Sequence, residues 1–116
     1  MPLKTKINVA AAQIDIIPGR PDRNAAKILE KIEEAKKMKD DMIIFPEMAV
    51  PGYLLGDEWE NLAFVKDAFG YNREIMEASE GIIVVWGNVD IDENNVNEDG
   101  RIRKYNAAFI AQNRKL

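Results

Sequence analysis

Met42-Ile43-Ile44-Phe45-Pro46-Glu47 is the stretch on which the fold turns. A short apolar run, with no polar alternation, predicts a strand from Met42 to Phe45 buried on both faces of a sheet. Glu47 then falls just beyond the C-terminal end of that strand, where ligand sites of α/β sheets tend to lie. A partly desolvated carboxylate there can have a raised pKa and act as a general base. The plain alternative is a loop glutamate that caps a helix or pairs with a lysine. Position alone leaves both open.

On either side the pattern alternates. Ile7 to Ile14, Ile82 to Val89 and Tyr105 to Gln112 read as further strands. Between the first two strands, Ala25, Ile28, Ile32, Ala35 and Met38 recur at helical spacing and predict a helix from Pro21 to Met38. Pro21 suits the first turn, where its missing N–H costs nothing. A second helix is predicted from Glu58 to Ala78, with Leu62, Phe64, Val65, Phe69, Ile75 and Met76 as apolar positions and a break at Gly70. The order strand, helix, strand, helix, strand, strand argues for an α/β layered domain. Asp90 to Gly100 is a polar insert, read as the long tip of a β-hairpin. Asn113-Arg114-Lys115 reads as a turn after the fourth strand, which would leave an exposed sheet edge.

Composition sets the outer limits. The chain has 116 residues, enough for one domain with a core, and is 47% hydrophobic and 31% charged. Its 16 basic and 20 acidic residues give a net charge of −4, and the basic residues Arg101, Arg103, Lys104, Arg114 and Lys115 form no continuous patch. That argues against nucleic-acid binding. Zero cysteines exclude disulfides, thiolate metal sites and thiol nucleophiles within the sequence. Lys4 and Lys6 ahead of Ile7 to Ala12 imitate a signal peptide, but the apolar run is too short. The longest strongly apolar stretch, Ile82 to Trp86, is far below a membrane span. A cytoplasmic protein without membrane contact is the expectation.

Other candidates are weaker than Glu47. Pro51-Gly52 makes a turn that brings Tyr53 close to Glu47, either to line a pocket or to cover the core. Asp90, Asp92 and Asn94 resemble the opening of a calcium loop, but Asn95 stands where glycine is needed and Arg101 where the bidentate glutamate belongs. Asp57, Glu58 and Glu60 are explained by the dipole at a helix start. There is no histidine and no phosphate-cradling glycine loop, so no metal site is expected. Trp86 is most simply core.

The ordered set Ile7-Asn8-Val9-Ala10-Ala11-Ala12-Gln13, Pro18-Gly19, Asn24, Ile43-Ile44-Phe45-Pro46-Glu47, Gly52-Tyr53, Val85-Trp86-Gly87 and Tyr105-Asn106-Ala107-Ala108 resembles the nitrilase (carbon–nitrogen hydrolase) superfamily. Ala49 to Asp57 looks most like the N-terminal glutaminase domain of glutamine-dependent NAD synthetases. The resemblance implies an α-β-β-α sandwich, of which residues 1–116 would be roughly the first half, and a Glu–Lys–Cys site. In such a site the thiolate attacks the glutamine amide, forms a thioester and releases ammonia; the glutamate is the general base and the lysine steadies the oxyanion. Carried over, Glu47 takes the general-base role and Tyr53 matches a tyrosine near the glutamine pocket. Lys115 looks like a turn residue rather than the catalytic lysine.

The resemblance implies glutamine as the parent's substrate and ATP for a synthetase domain, with no cofactor held by this chain. The expectation is an N-terminal piece of a glutamine-hydrolysing domain, inactive alone. The alternatives are a non-catalytic module that associates with itself or a partner, and a piece of another amidase of the superfamily.

Overall fold

The computed structural model describes residues 6–53, 55–98 and 100–116. Lys4 of the leader-like segment, Leu54 of the family-like stretch and Asp99 of the polar insert lie outside these. The order is β1 (Val9–Ala11), α1 (Pro21–Lys37), β2 (Met42–Ile44), a 3₁₀ helix (Gly56–Glu60), α2 (Leu62–Glu77), β3 (Ile83–Val96) and β4 (Ile102–Gln112). They form one sheet in the order β1-β2-β3-β4. The first three strands are parallel and β4 is antiparallel to β3. This is the mixed α/β class expected.

Helix α1 follows its sequence pattern closely. Pro21 opens it, Asp22 lies in the first turn, and Lys36 and Lys37 lie in the last, each with the sign that the helix dipole favours. Ile28 and Ile32 are fully buried, but Met38, the expected last apolar position, is the C-cap and 75% exposed. Helix α2 differs more. It does not begin at Glu58: Asn61 is extended and its side chain accepts a bond from the Phe64 N–H at 3.3 Å, so the cap separates the 3₁₀ helix from α2. Gly70 does not break it. The acidic cluster therefore serves no α2 dipole; Glu60 instead pairs with Arg101 at 2.8 Å and Lys104 at 3.4 Å.

Two parallel crossovers stepping the same way across a sheet place both helices on one face. Here α1 and α2 pack against each other as well as on the strands. Val84, Trp86 and Asn88 point to that side and are fully buried. Trp86 stacks on Phe109 with ring centroids 5.6 Å apart. Its indole N–H donates to Asn72 Oδ1 at 2.8 Å, and Asn88 Nδ2 donates to the same oxygen at 2.7 Å and to the Ala68 carbonyl at 2.8 Å. Asn72 thus joins α2 to β3 through one acceptor shared by two buried donors.

The other face is open. Ala11, Ile44, Val85 and Ile110 lie in one row across the four strands. Ile44 is 39% and Ile110 59% exposed, and Val9 in the neighbouring row is 47% exposed. Burial on both faces, expected from the lack of alternation in β2 and β3, is therefore met along the helix side and, on the other, at Gly87 and Val89 but not at Ile44. Apolar runs record what a strand is built to bury, and Ile44 and Ile110 remain uncovered on the second face.

The polar insert is not a long tip. Pairing continues from Ile83↔Gln112 through Asp92↔Arg103, shifts by a bulge, and resumes at Val96↔Ile102. Antiparallel strands satisfy each other's backbone groups without a core, so polar residues on both faces do not end the ladder. A tight connection follows, with the Asn97 N–H donating to the Arg101 carbonyl at 2.7 Å. Lys66 of α2 pairs with Glu93 at 3.0 Å and helps tie down this arm, part of a molecule 53 Å long. The expected turn at Asn113 is present: the Asn113 N–H donates to the Ser79 carbonyl at 2.9 Å. Among the described residues no helix is long and apolar enough to cross a membrane.

The shared acceptor makes a specific demand. Asn72→Ala should lower unfolding free energy by about 1–3 kcal/mol for each donor left stranded, read from urea denaturation. Asn95→Ala, on the exposed arm, should stay within about 0.5 kcal/mol of the parent chain.

Candidate active site

Phe45 makes the last sheet-like contact of β2, its N–H donating to the Val85 carbonyl at 2.8 Å. Pro46 has no N–H to continue the ladder, and the chain turns over residues 47–51. Met48, Ala49, Val50, Pro51 and Gly52 are buried while Glu47 and Tyr53 face solvent. This turn is held from three sides. The Val50 N–H donates to the Gly87 carbonyl at 3.3 Å and the Gly19 N–H to the Pro51 carbonyl at 2.9 Å. Asn24, fully buried on α1, donates to the Val50 carbonyl at 2.8 Å and also holds the backbone of Ile17.

Gly87 explains how the turn can lie so close to β3. A Cβ there would stand 2.4 Å from the Met48 nitrogen and 2.7 Å from the Pro46 oxygen. Gly52 has the same role against the loop before α1: its φ is +85°, and a Cβ would meet Pro18 Cα at 2.7 Å. Met48, next to Glu47, holds a left-handed φ of +51°. Non-glycine residues keep such a conformation only where the surroundings over-determine it, and this happens most at functional sites.

Glu47 Oε1 accepts a hydrogen bond from Asn106 Nδ2 on β4. Hydrogen bonding to Tyr53, then to Asn106, holds the Glu47 carboxyl below the ordinary glutamate range, with slight burial opposing. The same contact pushes the Tyr53 phenol up, because its proton is shared with an anion. The raised pKa expected from desolvation is thus reversed: Glu47 is exposed, and donors around a carboxylate favour its charged form. The structure brings Glu47 and Tyr53 together as the sequence suggested.

Asn106 was not singled out, although it stands in the Tyr105-Asn106-Ala107-Ala108 segment. What signals it is strand alternation, but only once the pairing register is known. It borders a cleft of about 260 Å³ with Tyr53, Leu55, Gly56 and Trp59. It also borders a second cleft, of about 360 Å³, with Glu47, Val85 and Gly87 on the open face. Among the described residues no three acidic groups gather as a metal site.

The profile of the carbon-nitrogen hydrolase family matches residues 8–115. The chain belongs to that family. It is 26% identical over 113 residues to the glutamine-dependent NAD(+) synthetase of Thermotoga maritima, a match covering 96% of this chain and 18% of that protein. Its fold is similar to the crystal structure of a glutamine-dependent NAD(+) synthetase from Cytophaga hutchinsonii, with TM-score 0.78, 25% identity, and coverage of 94% of this chain and 17% of that one. It also matches part of the fold of an amidase from Nesterenkonia sp. AN1, solved as a double mutant with acrylamide, at TM-score 0.63 and 18% identity, over 91% of this chain and 44% of the amidase. The chain therefore spans less than a fifth of the synthetases it matches. In this member of the family, Lys115 lies in the turn that follows β4, its N–H donating to the Gln112 carbonyl at 3.1 Å.

Two outcomes test this geometry. Gly87→Ala should cost about 1–3 kcal/mol by overpacking and displace the Glu47 turn, seen as faster amide exchange at Met48 and Val50. Acid should loosen the same turn. A carboxyl whose folded pKa is depressed stabilises above its unfolded value and loses that contribution as pH falls through the folded one. Exchange at residues 47–50 should therefore rise, relative to the α1 interior, as pH drops below the ordinary glutamate range.

Proposed function

We propose that this chain supplies the general-base side of a glutamine amide-hydrolysing site, as the N-terminal portion of a glutaminase domain. Such a domain would furnish ammonia for ATP-dependent conversion of deamido-NAD to NAD. The observation that carries the reading is Glu47 itself: a carboxylate kept ionised beyond the end of β2, braced by Tyr53 and Asn106 beside open clefts. Similarity to glutamine-dependent NAD synthetases supports the choice of amide.

In this mechanism Glu47 takes the thiol proton of a cysteine, and the thiolate attacks the amide carbon of glutamine. The C–N bond breaks, the nitrogen leaves as ammonia after receiving the proton from Glu47, and a thioester remains. Glu47 next takes a proton from water, whose oxygen attacks the thioester; glutamate forms and the proton returns to the thiolate sulfur. Since the sequence has no cysteine, the nucleophile must come from outside these 116 residues. Tyr53, beside the carboxylate and bordering the smaller cleft, would contact the glutamine side chain.

Purified alone, the chain should release no ammonia from glutamine above background; turnover by pure protein would contradict the mechanism. Mixed with a polypeptide carrying the lysine and cysteine segments of a synthetase glutaminase domain, it should gain activity. Glu47→Gln should then reduce that activity by about 10²–10⁴-fold, and Tyr53→Phe should chiefly raise KM.

A second reading, a self-associating module, draws on the open row of Ala11, Ile44, Val85 and Ile110. Sedimentation should then show association that grows with concentration and is weakened by Ile110→Lys. A folded monomer at high concentration would remove that reading.

A further inference from the structure

We propose that Asn106 is a positioning residue that sets the orientation of the Glu47 carboxylate and ties the Glu47 turn to the β3–β4 hairpin. The proposal deepens the general-base reading of Glu47, on which its relevance to catalysis rests. Its physical content can be tested without any turnover.

The two residues come from distant parts of the chain, and only the sheet register brings them together. Asn106 pairs with Val89, between Tyr105 against Asp90 and Ala108 against Gly87. Gly87 is the residue on which the turn rests, so Asn106 lies two positions along β4 from the contact that seats Glu47. A slip of one residue would carry its side chain to the helix face. The single bulge in the hairpin falls farther out, between Asp92 and Val96, leaving the register at Asn106 unbroken.

Asn106 has no packing reason to be there. It is exposed, and β strands disfavour asparagine. What it offers is a neutral donor: its amide stabilises the charged carboxylate without neutralising it, as an ammonium would. Tyr53 is a second neutral donor, but it lies on the same loop as Glu47 and so does not tie the turn to the hairpin. Asn106 sits on a different element and, alone among the described residues, borders both clefts beside the carboxylate.

The test is a titration of the isotope-labelled chain by NMR, reading the Glu47 side-chain carboxyl carbon and the Asn106 side-chain amide. Among the described residues, Tyr53 is the one titratable group that acts on Glu47, so the curve should be simple. In the parent chain the Asn106 amide resonances should move with the same inflection as the Glu47 carboxyl. Asn106→Ala should shift that inflection upward, and Asn106→Asp should shift it further by setting a second carboxylate beside the first. Tyr53→Phe should give its own upward shift while leaving the Asn106 amide response in place.

An Asn106 amide that stays flat through the Glu47 titration overturns the proposal, as does a folded Asn106→Ala chain with an unmoved inflection. Should a variant fail to fold, the parent-chain titration still decides. Coupled titration without restored ammonia release would remove the hydrolase reading and leave the positioning role standing.

Discussion

The Glu47 turn lies against β3 because Gly87 has no side chain. With the Met48 nitrogen 2.4 Å from where a Cβ would be, no other residue permits that approach without moving backbone. Everything at the site follows from this contact. It seats Val50 under the Gly87 carbonyl, draws Tyr53 back towards Glu47, and brings the carboxylate within reach of Asn106 on the neighbouring strand. Asn24 and Gly52 act at the far side of the turn, where α1 and the loop before it close down. The carboxylate is exposed, yet the backbone that presents it is among the most buried in the molecule.

The sheet's two faces are in different conditions for a topological reason. Strand order 1-2-3 with parallel connections sends α1 and α2 to the same side, so one face receives both helices and the other receives none. Trp86, Asn72 and Asn88 build a fully paired acceptor on the covered side. Ile44, Val85 and Ile110 line the uncovered one, and the larger cleft beside Glu47 opens there, with Val85 and Gly87 in its wall. A partner packed over that cleft would also lie over the carboxylate.

Local patterns were legible where local forces decide. Pro21 and the Ile28–Ile32 spacing marked α1 to within a residue, and Met42 to Phe45 read as a strand, one residue longer than β2. The break at Asn61 was missed because Glu58 to Ala78 carries a continuous helical pattern, and a single side-chain cap decides where the helix starts. The length of the hairpin was missed because polar alternation says little about a ladder held by backbone bonds alone. Asn106 was invisible as a site residue for a related reason: its meaning depends on register across 59 residues of sequence, which no periodicity encodes. Glu47 was legible because its signal, a carboxylate ending a buried strand, is local.

The depressed proton affinity of Glu47 runs against the base role proposed for it, since a weaker base takes a proton less readily. The conflict dissolves once the open face is considered. Covering that face would withdraw water from the carboxylate, and desolvation alone would drive it towards the neutral acid, which cannot accept a proton. Tyr53 and Asn106 oppose that drift with neutral donors that add no charge to the site. The donor set is thus suited to a carboxylate that must be enclosed and still remain ionised. In the exposed state its effect outweighs the slight desolvation, and the carboxyl sits below its ordinary range; enclosure would move it back towards the range in which a base both holds its charge and accepts a proton.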